Sequence, residues 1–329
     1  IQNVDKTLGR FSGSNMSLAF GGGTDSMAAH VLFPEALLVH ELSRDTEGRI
    51  IPDKTADYIR EVREKEGKAI SIVSNGRRCI TEPSGWTTWV GSSASAVLLA
   101  TDMDIGYIMR GTNSDSLFFI MGRGFKEVRS EEEINPWFKA FNHIGLKHFS
   151  PVASMTEAGT MKICQDAGVL GKTVSCQKNE GGECYSCFKC FRKDSLANTL
   201  GYRSFRKKYW KRYKTAQVLK GLKRKPLLQG HIYRYTLPEL YHMKWVRGSV
   251  DHMPDPSPFI LDYYEPGITL MTPKELHEEI KNRVEKYLDP VTEIEAMKSW
   301  KQPVIKEPEK VKNLADKVKA KISKYIPWK

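Results

Sequence analysis

The sequence predicts an α/β protein, a parallel sheet covered by helices, and three observations carry that prediction. Short apolar runs alternate with helix-like segments through the first 110 residues, the pattern of strands joined by helical crossovers. A glycine triplet, Gly21-Gly22-Gly23, lies between the first apolar run and the first helical segment. Four of the six cysteines, Cys176, Cys184, Cys187 and Cys190, fall within fifteen positions.

Taken in order, residues 16–20 read as the first strand and residues 25–32 as the helix behind the glycines. Residues 36–40 form the second strand, residues 54–66 a charged helix ended by Gly67, and residues 69–73 the third strand. Ala, Ser and Leu dominate residues 91–101, as in a buried helix, and residues 105–110 are a fourth strand running into Gly111-Thr112-Asn113-Ser114-Asp115. His143 and His148 flank Gly145 in a predicted loop, and residues 157–168 read as a helix ahead of the cysteines. Trp86 and Trp89 read as core. Beyond Gly201 the pattern changes. Residues 203–224 interleave basic side chains with Phe205, Tyr209, Trp210, Tyr213, Val218 and Leu219, which predicts a basic helix with one apolar edge. Thr272-Pro273-Lys274-Glu275 has the residue types of a helix start, followed by the stripe Leu276, Ile280, Val284, Leu288. A lysine-rich amphipathic helix is expected over residues 311–325, behind Pro303 and Pro308. The predicted division is an α/β unit over residues 1–200, cysteines included, and a basic, mainly helical extension over residues 201–329.

No apolar run reaches the roughly 20 residues that span a bilayer, and no secretory leader pattern opens the chain. Clustered cysteines in such a chain argue for metal ligation and a reducing, cytoplasmic setting, not for disulfides. Cys79 and Cys164 lie in apolar surroundings and read as buried thiols. The net charge of +12 is unevenly placed. Residues 201–329 hold 28 Lys and Arg against 15 Asp and Glu, whereas residues 1–200 hold 23 against 24. No acidic residue occurs between Asp194 and Glu239.

Glycines between a strand and a helix let the backbone turn sharply and approach a ligand. The exposed N–H groups there add to the positive end of the helix and favour an anion. Thr24 and Ser26 can donate hydroxyl hydrogen bonds to phosphate oxygens, and Asp25 can hold a magnesium ion or cap the helix. The segment fits neither GxxxxGK[ST] nor GxGxxG. A plain glycine turn before an Asp/Ser-capped helix explains the same residues without a ligand. The cysteine spacing, C-x7-C-x2-C-x2-C with Gly181 and Gly182 to turn the chain, suits one tetrahedral zinc ion in a closed, structural site. An iron–sulfur cluster takes the same four thiolates.

The glycine loop resembles the SGGxDS signature of the PP-loop ATPases. The order of motifs is similar, more narrowly, to the 7-cyano-7-deazaguanine synthases (the QueC family), across about residues 14–201. In that family an Asn/Asp motif ends a later strand, a short proline segment precedes a helix, and four cysteines of this spacing are followed closely by Arg. Here these are Asn113 with Asp115, Ser150-Pro151-Val152, the four cysteines and Arg192. The resemblance implies a Rossmann-like sheet of the PP-loop (adenine nucleotide alpha hydrolase-like) type, with ATP, Mg2+ and Zn2+. It also implies activation of a carboxylate as an acyl-adenylate that an amine or ammonia attacks. It assigns nucleotide binding to Phe20, Gly21, Gly22, Gly23, Thr24, Asp25, Ser26, Gly111, Asn113 and Asp115, adenine contact to His40, and catalysis to Asp25 and Ser26.

Three departures qualify the match. Gly21 replaces the first Ser of the signature. Glu157 stands where the family has Lys, and Lys162 is expected to substitute as the catalytic cation, with Arg110 as the alternative. Residues 116–123 lack the family's Tyr-Pro-Asp-Cys substrate segment, so the deazaguanine substrate does not carry over with the ATP chemistry. Two other readings stay open. The stretch 203–225 can track a tRNA or DNA backbone with Trp210 and Tyr213 stacked on bases, or dock an acidic protein. Gly21 and Glu157 also suit a degenerate nucleotide-binding scaffold or sensor. The acceptor is a small molecule or a macromolecule, and a homo-oligomer fits equally.

Overall fold

The computed structural model describes residues 12–43, 47–50, 54–74, 93–120, 122–129, 136–174, 176, 183–204 and 207–303. Cys79, the segment around Trp86 and Trp89, and the helix expected over residues 311–325 lie outside the described residues.

Among the described residues the sheet is parallel and has five strands: β1 (Asn15–Ala19), β2 (Leu37–Ser43), β3 (Ala69–Ser74), β4 (Ile105–Arg110) and β5 (Lys147–Phe149). Their spatial order is β3-β2-β1-β4-β5. Helices cover both faces, so neighbouring strand residues enter different cores. Leu38 and Met109 pack on one face with α1 (Thr24–Leu32), α2 (Lys54–Glu66) and α6 (Glu157–Asp166). Val39 and Ile108, one residue away, pack on the other with α3 (Ala94–Leu98) and α5 (Pro136–His143). This is the period-2 alternation of a strand. Four strands match the expected ones closely. The fifth lies in the predicted loop that contains His148, because three residues are too few to show alternation. A short helix, α4 (Ser114–Leu117), follows β4.

The C-terminal third is divided between cores: residues 210–253 mostly cluster with the cysteine helix, and later ones join the sheet layer. Ile260, Tyr263, Ile268, Leu276, Ile280, Val284 and Leu288 pack in the same cluster as Leu18, Met27 and Ala29 of the sheet layer. Packing therefore crosses the expected boundary at residue 200. The expected stripe is present and buried, but its helix begins later than Thr272. That hydroxyl donates back to the Ile268 carbonyl at 2.6 Å, ending α11 (Glu265–Met271), and α12 (His277–Val284) starts after a 3-10 turn.

The basic segment is broken instead of continuous: α8 (Lys207–Trp210), a 3-10 turn at Lys211–Tyr213, then α9 (Ala216–Leu222). Trp210 and Tyr213 are only 2% and 1% exposed. They pack with Cys187, Cys190, Phe191 and Val218 around α7 (Phe188–Thr199) and α10 (Gly230–Thr236). The expectation that these two rings stack on bases is thus overturned: each is core, and Tyr213 donates its hydroxyl to the buried carboxylate of Asp194. No helix among the described residues is long and apolar enough to cross a membrane.

Candidate functional site

The strand order reverses between β1 and β4, and there the carboxyl ends of parallel strands leave a crevice. The glycines follow β1 and the Gly111–Asp115 segment follows β4, so both motifs reach this point. Gly22 has φ of +70°, and a Cβ there would stand 2.2 Å from Thr55 Oγ1. A Cβ on Gly111 would stand 2.4 Å from the Ser26 amide, so the two loops meet backbone to backbone. Gly21 has open space around it.

Helix α1 begins at Gly23, which is extended and supplies no side-chain cap. The Met27 amide donates to the Gly23 carbonyl at 2.9 Å. The amides of Thr24, Asp25 and Ser26 precede it and have no acceptor within the helix. Ser26 turns its hydroxyl to the Gly23 carbonyl at 3.2 Å. Asp25 Oδ1 accepts from Thr160 Oγ1 at 2.7 Å and Asn113 Nδ2 at 3.2 Å. Burial raises the Asp25 pKa, Lys193 opposes that, and Glu157 adds to it. Asp115 is fully buried: Oδ1 pairs with His231 Nε2 at 2.6 Å, and Oδ2 accepts the Glu157 amide at 3.0 Å. It thus joins α10 to the start of α6.

The second component is the cysteine cluster. The four sulfurs lie within 4.8 Å of one another, with Cys184 and Cys190 3.9 Å apart. Tetrahedral zinc with bonds of about 2.3 Å places sulfurs about 3.8 Å apart, so the four cysteines can hold a metal ion such as zinc. Cys187 also caps α7, its sulfur accepting the Cys190 amide at 3.3 Å.

Helix α7 brings Lys189, Arg192 and Lys193 into a cavity of about 450 Å³ that Gly23, Asp25, Asn113, Glu157 and Cys187 also line. Arg192 Nε lies 2.6 Å from Glu157 Oε2, and its Nη2 donates to Oε1 at 3.1 Å. Lys193 lies 3.5 Å from the same carboxylate and donates to Thr24 Oγ1 at 2.5 Å. Burial would raise the Glu157 carboxyl, but Arg192, Lys193 and Lys189 outweigh it and hold it at about 2. Burial, with Lys193 and Arg192 alongside, pushes Lys189 below the ordinary lysine value. Crowded cations of this kind are stabilised by an anion among them.

Several expected site residues are placed elsewhere. Lys162 does not reach the cavity; it pairs with Asp166 at 2.7 Å and donates to the Tyr287 carbonyl at 2.7 Å. It is two positions from Thr160 on α6 and so faces away from Asp25. Arg110 is buried against Thr112 and His148 and does not line the cavity either. His40 is buried, with Nδ1 2.9 Å from the Phe20 carbonyl, and ties the two strand ends together. Phe20 stacks on Tyr58. Lys189, Lys193 and Gln229 were not expected. The run Cys187-x-Lys189-x-x-Arg192-Lys193 was the available signal, since residues three and four apart share a helix face.

Fold and site together define an α/β protein whose five-stranded parallel sheet opens at its switch point onto a cationic cavity beside a four-cysteine cluster. The chain belongs to the family of unknown function DUF6395, which matches residues 136–301. That span includes the cysteines and the three cavity cations but not the glycine loop. No curated protein matches the chain.

Proposed function

We propose that the protein is an AMP-forming, ATP-dependent ligase of the PP-loop type, related to the QueC family. In this reading it adenylates a carboxylate for attack by an amine or ammonia. The observation that carries the proposal is convergence: the uncapped start of α1 and three cations of α7 meet in one cavity beside the Asp25 carboxylate. The α1 amides, Thr24 and Lys193 would hold the departing pyrophosphate, and Lys189 and Arg192 would balance the charge that develops on it. Both hydrogen bonds to Asp25 converge on Oδ1, which leaves Oδ2 for a divalent cation. Magnesium bound there would neutralise phosphate charge that the carboxylate would otherwise repel. The cysteine site would hold α7, and with it the three cations, in place.

With ATP, magnesium, ammonium and a panel of carboxylates, the protein is expected to release pyrophosphate and AMP. Lys193→Ala should lower that rate by about 100-fold. ADP and orthophosphate as products, or no nucleotide binding, would refute the reading. Glu157 already engages two of the cavity cations, which favours one second reading, a nucleotide-holding scaffold. Tight ATP binding without pyrophosphate release would establish that instead.

A further inference from the structure

The cavity is lined by two chemically different sets of side chains. Besides the cations and carboxylates it has the neutral side chains of Ser116, Phe188, Gln217 and Gln229. Gln229 is 5% exposed, and its Oε1 has no hydrogen-bond partner. Its backbone is left-handed, φ 55° and ψ 41°, a conformation that strains a non-glycine residue. The loop around it is clamped. Gln302 accepts the Leu227 amide at 2.8 Å and donates to the carbonyls of Gly122 and Leu227 at 2.6 and 2.5 Å. A buried amide oxygen held without a donor, in a strained and clamped residue, is a group matched to an N–H of a ligand.

The segment that carries Gln217 is basic. Gln217 sits on α9, and Lys220, three positions on, shares its face. Lys220, Lys223, Arg224 and Lys225 are exposed, as are Lys211, Arg212 and Lys214 just before α9. Tyr209 is 36% exposed, with the Arg212 guanidinium 5.2 Å from its ring centre. An acidic peptide would need only the lysines. An exposed aromatic beside an arginine, together with a pocket carrying amide groups and a ring, suits bases as well as phosphates.

We propose that this face binds single-stranded nucleic acid. The backbone lies along the basic residues around α9, and one base enters the cavity beside Phe188 and donates an N–H to Gln229 Oε1. This rests on the cavity being the reaction site, and it names the substrate class as a polynucleotide. The stacking surface is then Tyr209 with Arg212, not the buried Trp210 and Tyr213.

The test uses the full, metal-loaded chain and fluorescent single-stranded RNA and DNA 12-mers over a salt series, with duplex DNA and poly-glutamate as competitors. Binding should weaken steeply with salt. Lys220→Ala with Lys223→Ala should reduce the logarithmic salt slope by about 1.4 for two phosphate contacts. Gln229→Met should weaken binding about 10-fold at unchanged slope, and Gln229→Glu, which keeps the acceptor, should lose less. No binding of either oligonucleotide would overturn the proposal. Poly-glutamate competing as well as single strands would overturn it too and assign an acidic protein instead. ATP binding measured on the same sample separates the two readings. Oligonucleotide binding without ATP binding refutes only the ATP reading, and the reverse refutes only this one.

Discussion

The two helices that meet at the cavity are built in opposite ways. Helix α1 starts at a glycine with no side-chain cap and offers bare amides. Helix α7 starts at a cysteine whose sulfur caps it, and it carries its charges on side chains. Cations near a helix N-terminus are ordinarily unfavourable. Four thiolates around a divalent ion would sum to a charge of −2, which would offset both the helix dipole and Lys189. Anion binding at α1 would therefore be intrinsic to the backbone, whereas at α7 it would depend on a metal ion held by the cysteines.

Metal removal breaks this comparison most strongly. Chelation, or Cys187→Ser, should release α7 and the core around Trp210, because structural zinc sites contribute on the order of 10 kcal/mol to the units they organise. Circular dichroism and a zinc assay should show loss of helix in step with loss of metal, with α1 and the sheet retained. Full helicity in the apo protein would mean that α7 stands without it.

The next effect concerns Glu157. Glu157→Gln removes the partner of a buried guanidinium and should cost about 3–5 kcal/mol, read by denaturant unfolding. Since the folded pKa is depressed to about 2, the wild-type contribution is complete above the ordinary glutamate value of 4.5. It is lost as pH falls from there towards 2. The variant should lack that acid-dependent loss. An unchanged acid transition would show that the pair with Arg192 does not form.

Trp210→Ala should cost about 3–5 kcal/mol of stability, the amount for a buried large aromatic. A stability change below about 0.5 kcal/mol would mean that the ring is on the surface after all. The smallest pair sharpens the α1 side. Gly22→Ala meets both a positive φ and Thr55 and should destabilise by about 1–3 kcal/mol, whereas Gly21→Ser, in open space, should change stability by under about 0.5 kcal/mol. Equal effects would show that the loop is not held as described.

What was legible in the sequence follows the same divide. The glycine loop, the first four strands and the cysteine spacing are local patterns, and the structure brings them to one crevice. Lys162, the nearby cation on α6, pairs with Asp166 and the Tyr287 carbonyl outside the cavity. The cations instead arrive from α7, more than thirty residues on, and Glu157 is their partner. Trp210 and Tyr213 look like surface aromatics among lysines, but the cysteine-bearing helix supplies an apolar face that no local pattern reveals. Charge separates the extension more sharply than packing does, since charge records the surface while residues 260–288 share the sheet's core.

The most direct measurement is calorimetric titration of ATP with magnesium into metal-loaded protein, compared with Lys193→Ala. The wild type should bind, and the variant should lose at least about 10-fold in affinity, the scale of one charge-assisted hydrogen bond. Equal affinity in both proteins, or binding by neither, would contradict this.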